Sequence, residues 1–89
     1  MYTIRFSKAA EKHKKLLKQS GLEENARRLL KIISEDPYRN PPPYEALVGN
    51  LKGFLSRRIN IQHRLVYEVF EEEKTVRILS MWSHYENVR

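Results

Sequence analysis

The chain has 89 residues, 17 Lys+Arg against 11 Asp+Glu for a net charge of +6, an apolar fraction of 40% and no cysteine. That length supports one small domain, here taken as residues 1–89, and the missing thiols exclude disulfides and thiolate metal sites and fit a reducing compartment such as the cytoplasm. The excess of positive charge favours polyanions such as RNA, DNA or an acidic protein segment, and no apolar run approaches the ~18 residues needed to span a bilayer.

Tyr2 to Phe6 alternates polar and apolar residues and predicts a strand rather than a signal peptide. Ser7 is placed to cap a helix, with Glu11 in its first turn and Gly21 as its stop. That helix is rich in lysine, and its thin apolar side is read as Ala9, His13, Leu16 and Leu17, with His13 on the surface. Leu22 to Ser34 predicts a cleaner amphipathic helix, with Leu22, Ala26, Leu29, Leu30 and Ile33 on one stripe. Asp36-Pro37 ends it, because a residue before proline is pushed out of the helical region.

Asp36 to Asn50 contains all 4 prolines of the chain and reads as a stiff, extended connector. From Phe54 the pattern shifts to period two. Strands are predicted over Phe54 to Ile61, Arg64 to Phe70 and Val76 to about His84, with turns at Asn60 to His63 and Glu71 to Lys74. In the last strand Val76, Ile78 and Trp82 are assigned to one side, and Leu79 and Met81 to the other. The expected fold is therefore α+β, with two helices packed on a small, mainly antiparallel sheet in the order β-α-α-β-β-β. Its polar face would carry Arg57 or Arg58, Arg64 and Arg77.

Few side chains could do chemistry. His13, His63 and His84 have no partners at metal-ligand spacing, and the chain's 3 glycines form no phosphate loop, so neither metal nor cofactor is expected. Acid–base chemistry using His, Glu, Arg, Lys and Tyr is what remains. RNA suits it, because its 2′-OH is a built-in nucleophile. Such cleavage needs a base for the hydroxyl proton, a cation for the phosphorane charge and an acid for the leaving 5′ oxygen. Glu45, Arg64, His84 and Tyr85 are of the required types but far apart in sequence, and each alone is an ordinary surface residue.

The run Asn50-Leu51-Lys52-Gly53-Phe54-Leu55-Ser56-Arg57-Arg58-Ile59, then His63-Arg64-Leu65-Val66-Tyr67, then His84-Tyr85, closely resembles the Txe/YoeB family of toxin–antitoxin toxins, within the RelE/ParE superfamily. The resemblance implies a RelE-like microbial RNase fold and a toxin that enters the ribosomal A site and cuts the messenger by 2′-OH attack. It implies Glu45 as general base, Arg64 as phosphate stabiliser, His84 as general acid and Tyr85 as a base-positioning ring. Arg58 would be a further RNA contact. Val48 stands where family members often carry Lys, so that positive group is either missing or supplied by Lys52, and Glu86 to Arg89 extend past the His-Tyr pair. The implied partners are a YefM/Axe-like antitoxin with an acidic C-terminal segment, the 70S ribosome and messenger RNA, with a homodimer or a toxin–antitoxin hetero-oligomer as possible assemblies. Two other readings use the same fold, a non-catalytic toxin that binds a target such as DNA gyrase and an RNase that needs no ribosome.

Overall fold

The computed structural model describes residues 1–82. The element order is β1 (Thr3–Phe6), α1 (Lys8–Gln19), α2 (Glu23–Glu35), β2 (Glu45–Ala46), a 3-10 turn (Gly49–Leu51), β3 (Leu55–Arg58), β4 (Arg64–Phe70) and β5 (Thr75–Ser80). They build one mixed sheet in the order β1-β5-β4-β3-β2. β2 to β5 pair antiparallel as a meander, while β1 lies parallel to β5, with Thr3 opposite Thr75 and Phe6 opposite Ile78. The α+β expectation holds, with β2 as an addition: two residues inside a proline-rich connector are too short a run to show a period.

Ser7 caps α1 as expected, its Oγ accepting from the Ala10 N–H at 3.0 Å. The same hydroxyl donates to the Leu79 carbonyl at 2.7 Å and ties the helix start to the end of β5. Gly21, at φ +75°, makes the turn into α2 in a region where a Cβ is disfavoured. α2 ends at Asp36, whose extended backbone satisfies the restriction imposed by Pro37.

The core lies between the helices and one sheet face. Ala26, Leu29 and Ile33 of α2 are buried, with Leu22 and Leu30 packed at the margin, as the stripe predicts. They meet Leu65 and Tyr67 of β4 and Val76 and Ile78 of β5, all 0% exposed. Each such aliphatic side chain contributes roughly 1.5–3 kcal/mol relative to exposure.

The face of α1 differs from the expectation. Ala10 and Leu17 are buried, Ala9 and Leu16 are exposed, and half-buried His13 accepts the Met81 N–H on Nδ1 at 3.0 Å. The crowd of lysines blurred a stripe that a packed structure resolves by one residue. The pattern of β5 is also corrected, by a bulge: Tyr67 faces Ile78 but Val66 faces Ser80, leaving Leu79 without a cross-strand partner. The extra residue reverses the alternation, so Met81 joins Ile78 in the core. The part of the expected third strand beyond Trp82 lies outside the described residues.

Candidate active site

The sheet face turned away from the helices carries the basic residues. On β3 and β4 the register sets Ser56 opposite Val66 and Arg58 opposite Arg64. β2 then brings Glu45 opposite Ser56. Because side chains at i and i+2 share a face, Glu45, Ser56, Arg58, Arg64 and Val66 lie on one face of the sheet, with Ser56 and Val66 buried and Glu45 and Arg58 exposed. The short β2 thus converts a loop carboxylate into a member of the sheet.

Glu45 Oε1 lies 3.6 Å from an Arg64 guanidinium nitrogen. The arginine side chain is 16% exposed and the carboxylate 54%, so the cation is held by the sheet and the carboxylate stays open to solvent. An ion pair this exposed adds little to stability. Its consequence is chemical, an acceptor for a proton beside a cation for a phosphate. Arg58, exposed and directly across from Arg64, adds a second positive charge. Together with Pro43, Tyr44 and Ser56 these groups line a notch of about 270 Å³. A cleft of similar size, about 250 Å³, opens between the helices over Phe6, Leu17, Ala26 and Leu30, and shares no residue with the notch.

Of the residues singled out from the sequence, Glu45, Arg64 and Arg58 converge. Lys52 is exposed, just after the 3-10 turn, and Val48 is 82% exposed. His84 and Tyr85 lie outside the described residues. The choice between Arg57 and Arg58 is resolved by the register: Arg58 takes the open face, and Arg57 turns inward and is 1% exposed.

Two features were not legible beforehand. Arg57 is a buried guanidinium that donates to Tyr67 Oη at 2.9 Å and to the carbonyls of Pro37, Arg39 and Pro42. Burial pushes the Tyr67 phenol up, partly opposed by Arg57, so it stays protonated and donates to the Pro37 carbonyl at 2.7 Å. His63, expected to be a turn residue, is that and more. Its N–H donates to Asn60 Oδ1 at 2.6 Å, and its ring is 6% exposed and stacked on Trp82 at 3.9 Å. The stack leads the chain out of β5 beside the residue that precedes Arg64. The signal for it was only the aromatic character of both residues.

The sequence profile described as "YoeB-like toxin of bacterial type II toxin-antitoxin system" matches residues 7–85. Toxin YoeB of Synechocystis sp. is 41% identical over 73 residues, spanning 82% of this chain and 76% of that one. A chain of the heterotetrameric YoeB–YefM toxin–antitoxin complex from Staphylococcus aureus is 34% identical, with a TM-score of 0.79 over 96% of this chain and 99% of that one. A YoeB/ParE toxin from Agrobacterium tumefaciens, 21% identical, shares the fold with a TM-score of 0.84 over 93% of this chain and 99% of that one. A profile that runs from the cap of α1 past the end of the sheet, and a relative this similar over most of its length, settle the family: the chain belongs to the YoeB-like toxins of bacterial type II toxin–antitoxin systems.

Proposed function

We propose that this toxin is a metal-independent endoribonuclease that cuts messenger RNA in the ribosomal A site and so stops translation. The observation that carries this reading is the pairing of Glu45 with Arg64 at 3.6 Å on the basic face of the sheet, with exposed Arg58 across the strand.

The chemistry follows from those positions. Glu45 takes the proton of a ribose 2′-OH, whose oxygen attacks the adjacent phosphorus. Arg64 holds the charge that grows on the non-bridging oxygens, and Arg58 adds a second contact. The bond to the 5′ oxygen breaks, and that oxygen takes up a proton, leaving a 2′,3′-cyclic phosphate and a 5′-OH. By resemblance, His84 supplies that proton and Tyr85 stacks a splayed base. Lys52 contributes a further RNA contact. With the nucleophile in the substrate and the charge met by arginine, every step is assigned to a side chain. A site with so few groups is a weak catalyst unless its substrate arrives oriented, and the ribosome provides that orientation.

The partner proposed to restrain it is an antitoxin. The related Staphylococcus aureus toxin is found in a YoeB–YefM complex, and a net charge of +6 favours an acidic segment laid over the open face. The test is a purified translation reaction in which messenger ends are mapped with the wild type, Glu45→Ala and His84→Ala. Cuts should appear only with ribosomes and vanish in both variants. Inhibition that persists in both variants with the messenger intact would replace the nuclease with a binding inhibitor.

A further inference from the structure

The loop that delivers Glu45 is a poor structural element on its own. Residues 37–43 include four prolines, which offer no N–H for a turn or a ladder. At its start, Arg39 N–H donates to the Asp36 carbonyl and Tyr38 N–H to Asp36 Oδ1. At its far end, β2 holds only two residue pairs, Glu45 to Ser56 and Ala46 to Leu55. What lies between is gathered chiefly by one side chain, with the Tyr67 hydroxyl donating to the Pro37 carbonyl beside it. The Arg57 guanidinium donates from Nε to Tyr67 Oη at 2.9 Å, from one terminal nitrogen to the Pro42 carbonyl, and from the other to the carbonyls of Pro37 (3.0 Å) and Arg39 (2.9 Å). The Tyr44 ring covers it, 5.0 Å from centroid to guanidinium carbon.

A buried guanidinium is an expensive way to hold a loop. Removing a charge from water costs several kcal/mol, recovered only if its donors are satisfied in good geometry. Loop anchoring alone could be done by apolar packing at lower cost. What a planar fork of donors adds is a fixed angle and distance for several carbonyls at once. The held segment ends at Tyr44, and the next residue is Glu45.

We propose that Arg57, keyed by Tyr67, is a positioning residue: it sets where the loop places the Glu45 carboxylate relative to Arg64. This inference rests on the proposed role of Glu45. Adjacent arginines in the Ser-Arg-Arg run then divide the work through strand alternation. Arg58 faces the substrate side, and Arg57 faces inward and orients the base from behind.

The test is a double-mutant cycle between Tyr67→Phe and Glu45→Gln, with Arg57→Lys as a second variant. Tyr67→Phe removes a single oxygen, the acceptor for Arg57 Nε and the donor to Pro37. Single-turnover cleavage on programmed ribosomes is measured well below each melting midpoint, with folding checked by circular dichroism. Tyr67→Phe should lower the rate at saturating toxin by about tenfold or more, since a displacement of about 1 Å can cost on the order of 100-fold. The toxin concentration giving half that rate should barely change. Arg57→Lys keeps the charge but reaches fewer acceptors, and should fall in the same direction. In the Glu45→Gln background, Tyr67→Phe should cost nothing more, because it acts through the group already removed. A folded Tyr67→Phe with wild-type rate, or losses that multiply in the double variant, would overturn the positioning role while leaving Glu45 as base. Full cleavage by Glu45→Gln would overturn the base assignment, and this inference with it.

Discussion

Removing the charge at Arg58 should make the protein more stable and a worse RNA binder. Arg58 and Arg64 stand directly opposite each other on β3 and β4. Like charges in that position cost about 0.2–1 kcal/mol. Glu45, 3.6 Å from Arg64, offsets part of the repulsion, so a middle value near ~0.5 kcal/mol is the working figure. For a domain of this size 1 kcal/mol moves the melting midpoint by about 4–8 °C, so Arg58→Gln should raise it by about 2–4 °C. Melts should be run at about 0.01 M salt, where the screening length is about 30 Å, and at 1 M, where it is about 3 Å. The gain should be present at low salt and disappear at high salt, which separates lost repulsion from any change in strand propensity. In parallel, single-stranded RNA binding should weaken, and the slope of log affinity against log salt should become shallower by about 0.7, the value for one phosphate contact. A midpoint that is unchanged or lower at low salt, or a gain that survives 1 M salt, would refute the electrostatic argument. An unchanged salt slope would remove Arg58 from the RNA interface.

Ile33, 0% exposed at the centre of the α2 stripe, should cost about 2–5 kcal/mol as Ile33→Ala, read as a lower midpoint in urea with little change in slope. A loss below about 1 kcal/mol would mean that α2 is not seated on the sheet as described. For His13, burial lowers the pKa below 6.5, so the unfolded chain binds more protons than the native one as the pH falls below about 6.5. Stability should therefore be fully present above that value and decline below it until the native imidazole also protonates. A His13→Gln variant should lose less on going from neutral to mildly acidic pH. Parallel curves for the two proteins would show that His13 does not contribute to the acid limb.

The parts of this structure readable in advance share one property: their period survives on a single element. The α2 stripe, the cap at Ser7 and the meander of β3 to β5 all declare themselves within a dozen or so neighbouring residues. The parts that were not readable depend on pairing between distant residues. β1 runs parallel to β5 because α1 and α2 return the chain to the same end of the sheet, and no local pattern encodes that. The Leu79 bulge turns Met81 inward, against a plain alternation. The candidate site divides the same way. Glu45, Arg58 and Arg64 were named from a family motif, and only the register shows that they share a face. Arg57 looked interchangeable with Arg58 because a surface arginine and a buried one have the same letter, and its acceptors are backbone carbonyls, which leave no trace in a sequence.

The parallel pairing has a consequence for how a cell makes a toxin safely. Thr3 and Thr75 are partners across 72 positions of chain (75 − 3), so a chain emerging from its N-terminus presents β1 long before β5 exists to receive it. The helices can form in the meantime, but among the described residues β4 gains its second neighbour, and β1 its one neighbour, when β5 arrives. The β2–β3–β4 pairing that sets Arg64 near Glu45 is made first, and the sheet is completed only late in synthesis. A chain released before β5 would carry Glu45, Arg58 and Arg64 but lack both the strand that closes the sheet and the later His84 and Tyr85, so such a fragment should show no cleavage in the same translation reaction.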